Sequence, residues 1–538
     1  MRKTLLTAAL LCVFGACRAA ATPVATAEGP VEGLSRNGIQ QFLGIPFAAP
    51  PVGALRWMPP RPASKWTAVR QAKAFGPICA QITTLGPFAG PPNSNEDCLY
   101  LNVFTPDTKA KLPVLVWIHG GGYFDGASND YDASKLAKDG KLVVVTLNYR
   151  LNLFGFLAHP ALDGEGHAFG NYGLMDMQAA LKWVRANIAG FGGDPKNVTL
   201  GGQSAGAGAA AAHIVSPGSA GLFHRAIFQS GGYSPFVPLK AARERGIKFA
   251  DATGCKGDNK AIAKCLRALP AAKIVAMSGT ASATSPLVIG AMIDGTVIPR
   301  QAIDAFRAGT FNRMPVMMGT TRDEGNFTAG IAQYFKPDRA AITRTEFDGY
   351  VQRTYGGNAG PGGSPPGYPK DVVMELKKRY PETVPHVAWS TLHSNMLACR
   401  GQYTAAAIAK HAPLYMYRFD DRTAQSYFPK MAGFQAGVYH TGDIPYVFTG
   451  YHGGPEGVRV ALTPKQQQLS DKLIRTWANF ARDGNPNGKG DAPWPRWREG
   501  ADAPAYFLQD DSWHRTLTNA QFAAAHQCGF WQSILLYK

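Results

Sequence analysis

A serine between two glycines stands where a short apolar run meets an alanine-rich segment. Residues 202–206 have the sequence Gly-Gln-Ser-Ala-Gly, preceded by the apolar run 198–200 and followed by the mostly alanine segment 207–213. A strand, a sharp glycine turn and a helix in this order form a nucleophile elbow. The turn exposes the serine hydroxyl at a helix N-terminus, where developing negative charge is favoured. The pattern predicts that Ser204 is a nucleophile, and its flanking elements carry this prediction because the pentapeptide alone can arise by chance.

A second glycine-rich segment predicts a binding site for an oxyanion. His119 and three glycines, 120–122, directly follow the apolar run 114–118. Consecutive glycines let backbone N–H groups converge on one point, and each such donor lowers the barrier of acyl transfer by about 3 kcal/mol. We expect the N–H groups of Gly121, Gly122 and Ala205 to form this oxyanion hole. A phosphate loop is disfavoured because the Gly-Lys-Ser/Thr ending is missing, and a packing turn is the remaining alternative.

A serine hydroxyl needs a base, and the base needs an acid that fixes its tautomer. Asp323 and Glu324 follow the strand-like run 316–318, and His440 lies further along the chain. This order of serine, acid and histidine is the one that accompanies a nucleophile elbow. Spacing alone does not single out His440 among twelve histidines, nor does it separate Glu324 from Asp323. Solvated carboxylates and a core histidine remain the alternatives.

The elements that must position these residues alternate between strands and helices. Leu181, Val184 and Ile188 recur at helical spacing before a glycine-rich breaker at 190–193. Short β-branched and apolar runs predict buried strands at 114–118, 142–145, 198–200, 226–228, 316–318 and 415–417. We therefore expect an α/β fold around a largely parallel sheet, with the site beyond the carboxyl ends of the strands.

The composition indicates a globular protein without nucleic-acid binding. The chain has 538 residues, of which 45% are hydrophobic and 17% charged, which excludes general disorder. No linker or repeat divides it, so we expect one large domain. The net charge is +18, or +15 without Arg2, Lys3 and Arg18. The basic residues are scattered and no nucleic-acid motif accompanies them, so the charge indicates a bias toward anionic ligands.

The first 21 residues resemble a secretory signal peptide. A basic start and a largely apolar run to Ala16 precede the Ala-x-Ala site 19–21, so the mature chain is expected to begin near Thr22. Cys17 ends a sequence similar to a bacterial lipoprotein box, which makes a lipid anchor the alternative. No later run is long enough to span a bilayer. We expect a soluble, exported, bacterial protein, periplasmic or secreted.

Six cysteines follow the predicted signal peptide, and export makes disulfides the default state. Six cysteines allow fifteen connectivities. Sequence spacing favours two local disulfide loops and leaves the remaining two cysteines to close a long loop. Free buried thiols are the alternative. No Cys-x-x-Cys pair or His-Glu-x-x-His helix supports a redox or zinc site. The favoured pairs are Cys79 with Cys98, Cys255 with Cys265, and Cys399 with Cys528.

Taken together, the motifs resemble those of the type-B carboxylesterases, the family that includes cholinesterases and bacterial para-nitrobenzyl esterases. They keep their order from about residue 28 to the C-terminus. The matching segments are 96–103 (Glu-Asp-Cys-Leu-Tyr-Leu-Asn-Val), 119–122, 148–150 (Asn-Tyr-Arg), 170–176 (Gly-Asn-Tyr-Gly-Leu-Met-Asp), 201–206, 323–325 (Asp-Glu-Gly) and His440 with 443–448 (Asp-Ile-Pro-Tyr-Val-Phe).

The resemblance implies an α/β-hydrolase fold over residues 22–538 and a serine esterase that needs no cofactor or metal. It implies that Ser204 is the nucleophile, that His440 is the general acid and base, and that Glu324 rather than Asp323 is the orienting acid. It also implies the oxyanion role of Gly121, Gly122 and Ala205 and the three disulfides. Three further matching positions support the structure in this family and are given no catalytic role: Asp97, Asp176 and Ser230.

Two departures from the family bear on the substrate. Gln203 stands where the family commonly has Glu, and Phe88 stands where cholinesterases have the Trp that stacks on choline. Both changes remove features that bind a cation. We therefore expect a neutral or carboxylate-bearing ester rather than a choline ester. The alternatives are a non-catalytic adhesion or ligand-binding relative, and a hydrolase of amides, thioesters or lactones.

Overall fold

A computed structural model describes residues 19–83, 85–88, 92–279, 289–356, 368–448 and 461–534. The strands in these ranges are β1 Ala19–Ala20, β2 Val24–Ala25, β3 Pro30–Glu32, β4 Leu34–Arg36, β5 Ile39–Pro46, β6 Arg70–Gln71, β7 Tyr100–Thr105, β8 Leu112–Ile118, β9 Val143–Leu147, β10 Gly193–Gln203, β11 Arg225–Gln229, β12 Val237–Pro238, β13 Met292–Ile293, β14 Val316–Thr321, β15 Leu414–Phe419, β16 Pro504–Gln509 and β17 Thr516–Thr518.

The α-helices of the same ranges lie mostly between the later strands. They are α1 Ser134–Gly140, α2 Asn152–Phe156, α3 Pro160–Asp163, α4 Tyr172–Asn187, α5 Ala205–Val215, α6 Leu239–Thr253, α7 Asn259–Ala268, α8 Ala271–Gly279, α9 Ala302–Ala308, α10 Gly325–Tyr334, α11 Arg344–Tyr355, α12 Lys370–Arg379, α13 Pro385–Ala409, α14 Ile444–Val447, α15 Pro464–Asp483, α16 Asn519–Ala525 and α17 Cys528–Ile534.

One large sheet organises the described chain. Its strand order is β1-β4-β5-β7-β9-β8-β10-β11-β14-β15-β16-β17. All neighbours from β9 to β16 are parallel, while the strands at both ends pair antiparallel. Each predicted strand lies in this sheet, so the α/β-hydrolase prediction is confirmed. Parallel neighbours bring the ends of β8, β10, β14 and β15 to one edge, where the predicted chemistry lies.

The two faces of the sheet bury separate apolar layers. Along β8, Val114, Val116 and Ile118 contact one layer, whereas Leu115 and Trp117 contact the other. This alternation follows from the two-residue period of a strand. Helices cover both faces, so the runs are apolar throughout, as expected for a parallel sheet.

Helix α15 shows how local signals set the boundaries of a covering helix. Thr463 caps its first turn in a reciprocal arrangement with Gln466, and Gly484 ends it in the left-handed conformation with φ 72°. Trp477 and Phe480 are at most 2% exposed, so this face of the helix packs into the core.

The six cysteines after residue 18 form three disulfides, and the pairing is the one that the resemblance implies. They are Cys79–Cys98, Cys255–Cys265 and Cys399–Cys528. The predicted signal peptide lies largely outside the described residues, although Ala19 and Ala20 pair with β4. Within the described ranges, no helix combines the length and apolarity that a bilayer crossing requires.

A buried ion pair joins the segment after β9 to helix α4. The Asp176 carboxylate accepts hydrogen bonds from the Arg150 Nε and a terminal guanidinium nitrogen, at 2.8 and 2.7 Å, and from its backbone N–H at 3.0 Å. The side chains are 4% and 0% exposed. Arg150 also donates to the Met58 carbonyl at 2.9 Å. The pair therefore joins three segments of the chain.

We expect Asp176→Ala to lower the free energy of unfolding by about 3–5 kcal/mol, because it leaves the buried Arg150 charge without its partner. Urea denaturation checks this value. The control is Asp139→Ala, which removes the carboxylate of the exposed pair with Lys135 and should cost less than about 1 kcal/mol. Equal losses for the two variants would contradict the structural role of the buried pair.

Candidate active site

Ser204 lies on a sharp turn between β10 and α5. Its φ of 58° and ψ of −121° are strained for a residue with a side chain. The turn is held because the Ser204 N–H donates to the Gln229 carbonyl of the adjacent strand at 2.8 Å. A Cβ atom at Gly206 would lie 2.1 Å from the Ile118 carbonyl oxygen, so only glycine allows this approach of helix to strand. The predicted elbow is thus present in the backbone.

The glycine segment after β8 forms a tight loop beside Ser204. Gly121 has φ 106°, and a Cβ atom there would lie 1.8 Å from the Asp125 carbonyl oxygen. The N–H groups of Phe124 and Asp125 both donate to the Gly121 carbonyl, which curls the loop. No hydrogen bond among the described residues uses the N–H groups of Gly121 or Gly122. Ala205 is the first residue of α5, where backbone N–H groups have no partner within the helix.

His119 anchors this loop rather than taking part in proton transfer. Its ring stacks on Tyr149 with a centroid separation of 4.5 Å, and its Nδ1 lies 2.8 Å from the Gly120 carbonyl oxygen. Tyr149 in turn donates to the His119 carbonyl at 3.1 Å. Burial lowers the pKa of His119 to about 4, so the ring is neutral at neutral pH.

Glu324 follows β14 and is 1% exposed. Its Oε1 accepts from the Thr321 N–H at 2.8 Å, and its Oε2 contacts the His440 Nδ1. Burial raises the pKa of the Glu324 carboxyl, but the attraction and hydrogen bond of His440 exceed that effect, so the pKa lies below its ordinary value. The adjacent Asp323 instead accepts from the Val438 N–H at 3.0 Å. The structure therefore brings Glu324, and not Asp323, to the imidazole.

The other side of the His440 ring contacts a residue whose role was not foreseen from the sequence. The Gln203 Nε2 lies 2.9 Å from the His440 Nε2. With the Nδ1 proton directed at Glu324, the amide is the donor and the imidazole is the acceptor. Among the described residues no hydrogen bond joins Ser204 to His440. The sequence showed that Gln203 is neutral, but the contact itself depends on how β10 and the segment after β15 approach each other.

These groups converge on one cavity of about 390 Å³. It is lined by the glycine loop 120–122, Ser204, Glu324 and His440 together with aromatic side chains. Phe88 is one of them and packs edge to face on Phe327, which in turn packs on the His440 ring at 5.3 Å. An apolar ring thus occupies the position at which the sequence comparison placed a choline-binding Trp in cholinesterases.

A charged part of the cavity was missed because no motif marks it. His393 and Arg400 of α13 line the same cavity as Ser204. In the sequence they lie within a helix of mixed polarity that carries no catalytic pattern. Among the described residues, no group of three or more His, Cys, Asp or Glu side chains is arranged to hold a metal ion.

The three residues expected to support the structure occupy different places. Asp176 forms the buried ion pair described above. Asp97 accepts a hydrogen bond from the Tyr100 hydroxyl at 2.9 Å, away from the cavity. Ser230 lies in the cavity wall after β11, with φ 52°.

Asp443 lies behind the candidate triad without contact to the cavity. It is 3% exposed. Burial raises the pKa of this carboxyl from 3.8 to about 6, although a hydrogen bond with the Gln229 side chain opposes the shift, and the negative charge of Glu324 adds to it. The folded state therefore favours the protonated acid.

A carboxyl whose pKa is raised by folding stabilises the fold when it is protonated. For Asp443 this contribution is complete below the ordinary pKa of 3.8 and is lost as the pH rises through about 6. Asp443→Asn removes the titration. From pH 3.8 to neutral pH, we expect the stability of the wild type to fall relative to that of the variant by up to about 3 kcal/mol. Urea denaturation of both proteins across this range measures the difference. Stability profiles that stay parallel across this pH range would contradict a raised pKa for the buried Asp443 carboxyl.

Comparison with known proteins agrees with the geometry. Residues 20–531 match the model of the carboxylesterase family. A thermophilic PNB esterase of solved structure superposes with a TM-score of 0.76 at 30% sequence identity, covering 94% of this chain and 99% of the other.

Named relatives align over most of their length. A para-nitrobenzyl esterase of Bacillus subtilis (strain 168) is 34% identical, over 88% of this chain and 92% of its own. An acylcarnitine hydrolase of Mus musculus is 35% identical, over 86% and 82%. A fumonisin B1 esterase of Sphingopyxis macrogoltabida is 35% identical, over 88% and 84%. The chain is a carboxylic ester hydrolase and belongs to the carboxylesterase family.

Proposed function

We propose that this esterase acts through a triad of Ser204, His440 and Glu324. The observation that carries the proposal is the convergence of three groups on one cavity: a serine on a strained turn, an imidazole, and a buried carboxylate in contact with that imidazole. A non-catalytic relative would have no need to keep all three. Buried Glu324 favours the tautomer with its proton on Nδ1, which leaves Nε2 as the base.

The reaction proceeds by two acyl transfers. Ser204 Oγ attacks the ester carbonyl while His440 Nε2 takes its proton, and the alcohol leaves with that proton. Water then attacks the acyl-enzyme by the same route and releases the acid. The N–H groups of Gly121, Gly122 and Ala205 stabilise the oxyanion of each tetrahedral intermediate. Because the Gln203 amide contacts His440 Nε2, that nitrogen must exchange this donor for the Ser204 hydroxyl before attack.

The proposed substrates are neutral or carboxylate-bearing esters. Gln203 contributes no negative charge beside the nucleophile, and Phe88 lies among other aromatic rings at one wall of the cavity. Without Arg2, Lys3 and Arg18 the chain also carries a net charge of +15. Because one relative is an acylcarnitine hydrolase, a quaternary ammonium ester belongs in the substrate panel as a contrasting probe.

We further propose that residues 1–21 are an export signal and that residues 22–538 form the exported domain. The three disulfides support an oxidising compartment. Mass spectrometry of the protein from a bacterial periplasm or medium tests the cleavage site. An N-terminus at Thr22 is expected, whereas a lipid on Cys17 would replace this proposal with membrane anchoring.

We expect Ser204→Ala to lower kcat/KM for para-nitrophenyl esters by about 10⁵-fold or more, because the nucleophile is lost while binding remains. Labelling by a fluorophosphonate should disappear as well. Circular dichroism and thermal melting establish that the variant is folded. Undiminished hydrolysis by the folded variant would reject Ser204, and a wild type with neither turnover nor labelling would favour a binding protein.

Glu324→Gln is expected to lower kcat by about 10³- to 10⁴-fold, less than the loss of the nucleophile, because the imidazole loses the partner that fixes its tautomer. Asp323→Asn is the matched control, since it removes a neighbouring carboxylate that accepts a hydrogen bond from the Val438 N–H and pairs with Arg322 at 3.6 Å rather than with the imidazole. Its kcat should stay within about threefold of wild type. A larger loss in the control would identify Asp323 as the acid.

A further inference from the structure

One face of helix α13 forms a wall of the cavity. His393, Met396, Leu397 and Arg400 all line the space that contains Ser204. Their spacing of three, four and seven residues places them on a single helix face. Two apolar side chains therefore separate an imidazole from a guanidinium along this wall.

His393 is held in a neutral form beside Arg400. Its Nδ1 lies 2.9 Å from the Tyr350 hydroxyl, and the Tyr350 ring stacks on Trp389 at 3.9 Å. Burial raises the pKa of Tyr350, so the phenol keeps its proton and can donate it to Nδ1. Burial, together with the charges of His440 and Arg400, lowers the pKa of His393 to about 4 despite the opposing effect of Glu324. With Nδ1 accepting, the ring proton is on Nε2 and is available as a donor.

Two acidic groups, Glu324 and Asp130, line the described part of the cavity. Glu324 contacts His440. Asp130 follows the glycine loop 120–122 and lies next to Tyr131. Tyr131 packs on Trp117 and Phe448 in one apolar layer, whereas Met396 belongs to a different cluster that includes Trp389. The described α13 wall contributes a donor from His393 and the positive charge of Arg400, while the neighbouring Glu324 carboxylate is held by His440.

We propose that Arg400, with His393 beside it, binds a carboxylate of the substrate, so that the preferred esters carry a second acidic group. A guanidinium presents a planar fork of donors that matches a carboxylate, and the pairing is stronger in a partly buried cavity than in water. Apolar neighbours such as Met396 would otherwise exclude a charged group. This inference rests on the proposed function, because it takes Ser204 as the point of attack in the same cavity.

The carboxylate could belong to the acyl part or to the alcohol part of the ester, and two probes separate these sources. The acyl probe is the para-nitrophenyl monoester of adipic acid, compared with the same ester whose free acid is capped as a methyl ester. Release of para-nitrophenolate reports only the aryl ester in both, after subtraction of the spontaneous rate. The alcohol probe is the butyryl ester of 3-hydroxybenzoic acid, compared with that of its carboxamide.

Arg400→Gln should lower kcat/KM for at least one acidic probe by about 10- to 100-fold, mainly through KM, and leave its neutral partner within about threefold. Arg400→Lys should retain part of the preference, since it keeps the charge without the fork. The matched control is Arg353→Gln on α11, an exposed residue outside the cavity, which makes the same change in net charge. Adipate should also inhibit hydrolysis of para-nitrophenyl butyrate competitively in the wild type, a test that needs no variant.

The outcomes distinguish this inference from the proposed triad. Equal losses on acidic and neutral probes, an equal effect of Arg353→Gln, or an absence of inhibition by adipate would overturn the carboxylate site while Ser204 chemistry stands. A wild type that prefers the neutral member of each pair would overturn it too. If neither member is hydrolysed, or if Ser204→Ala retains the activity, the proposed function fails first and this inference fails with it.

Discussion

The close approach of helix α5 to the end of strand β8 is the constraint on which the site depends. Gly206 lies so near the Ile118 carbonyl that no side chain fits between them. This approach places Ser204 directly beside the loop that begins at His119, and a Cβ atom at Gly120 would lie 3.1 Å from that of Ser204. Two motifs that are distant in sequence thereby become one site. The strain at Ser204 is tolerated because hydrogen bonds to the neighbouring strand and the packing of the sheet hold the turn.

The sequence predicted the fold and the motif-bearing half of the site because those signals are local. Strand β8 is apolar on both faces, and Ser204 and Gly121 lie at turns whose glycines are visible in the chain. The local sequence did not distinguish Asp323 from Glu324 as the orienting acid, and only the family resemblance favoured Glu324. In the structure the difference arises where α10 begins, because the Gly325 N–H is held by Ser394 of α13 at 2.9 Å and Glu324 turns inward.

The cavity wall on α13 could not be predicted for a related reason. Helix α13 is buried on most of its surface, and the spacing of His393 and Arg400 does not differ from that of a core helix with polar interruptions. Which face borders a cavity depends on the packing of α10 and α11 around it. The contact between Gln203 and His440 could not be predicted either, because the sequence does not show which side chain the Gln203 amide will contact.

The disulfide between Cys399 and Cys528 connects the last described helix, α17, to the helix that walls the cavity. Cys399 directly precedes Arg400, and Trp531 of α17 donates to the Tyr380 hydroxyl at 3.0 Å. No described residue of α17 lines the cavity, yet the helix braces its wall from behind. The elbow on β10 has no such covalent support and rests on the sheet alone. The turn that carries Glu324 does share this brace, because Ser394 of α13 holds the Gly325 N–H, so the disulfide supports both the cavity wall and the backbone beside Glu324.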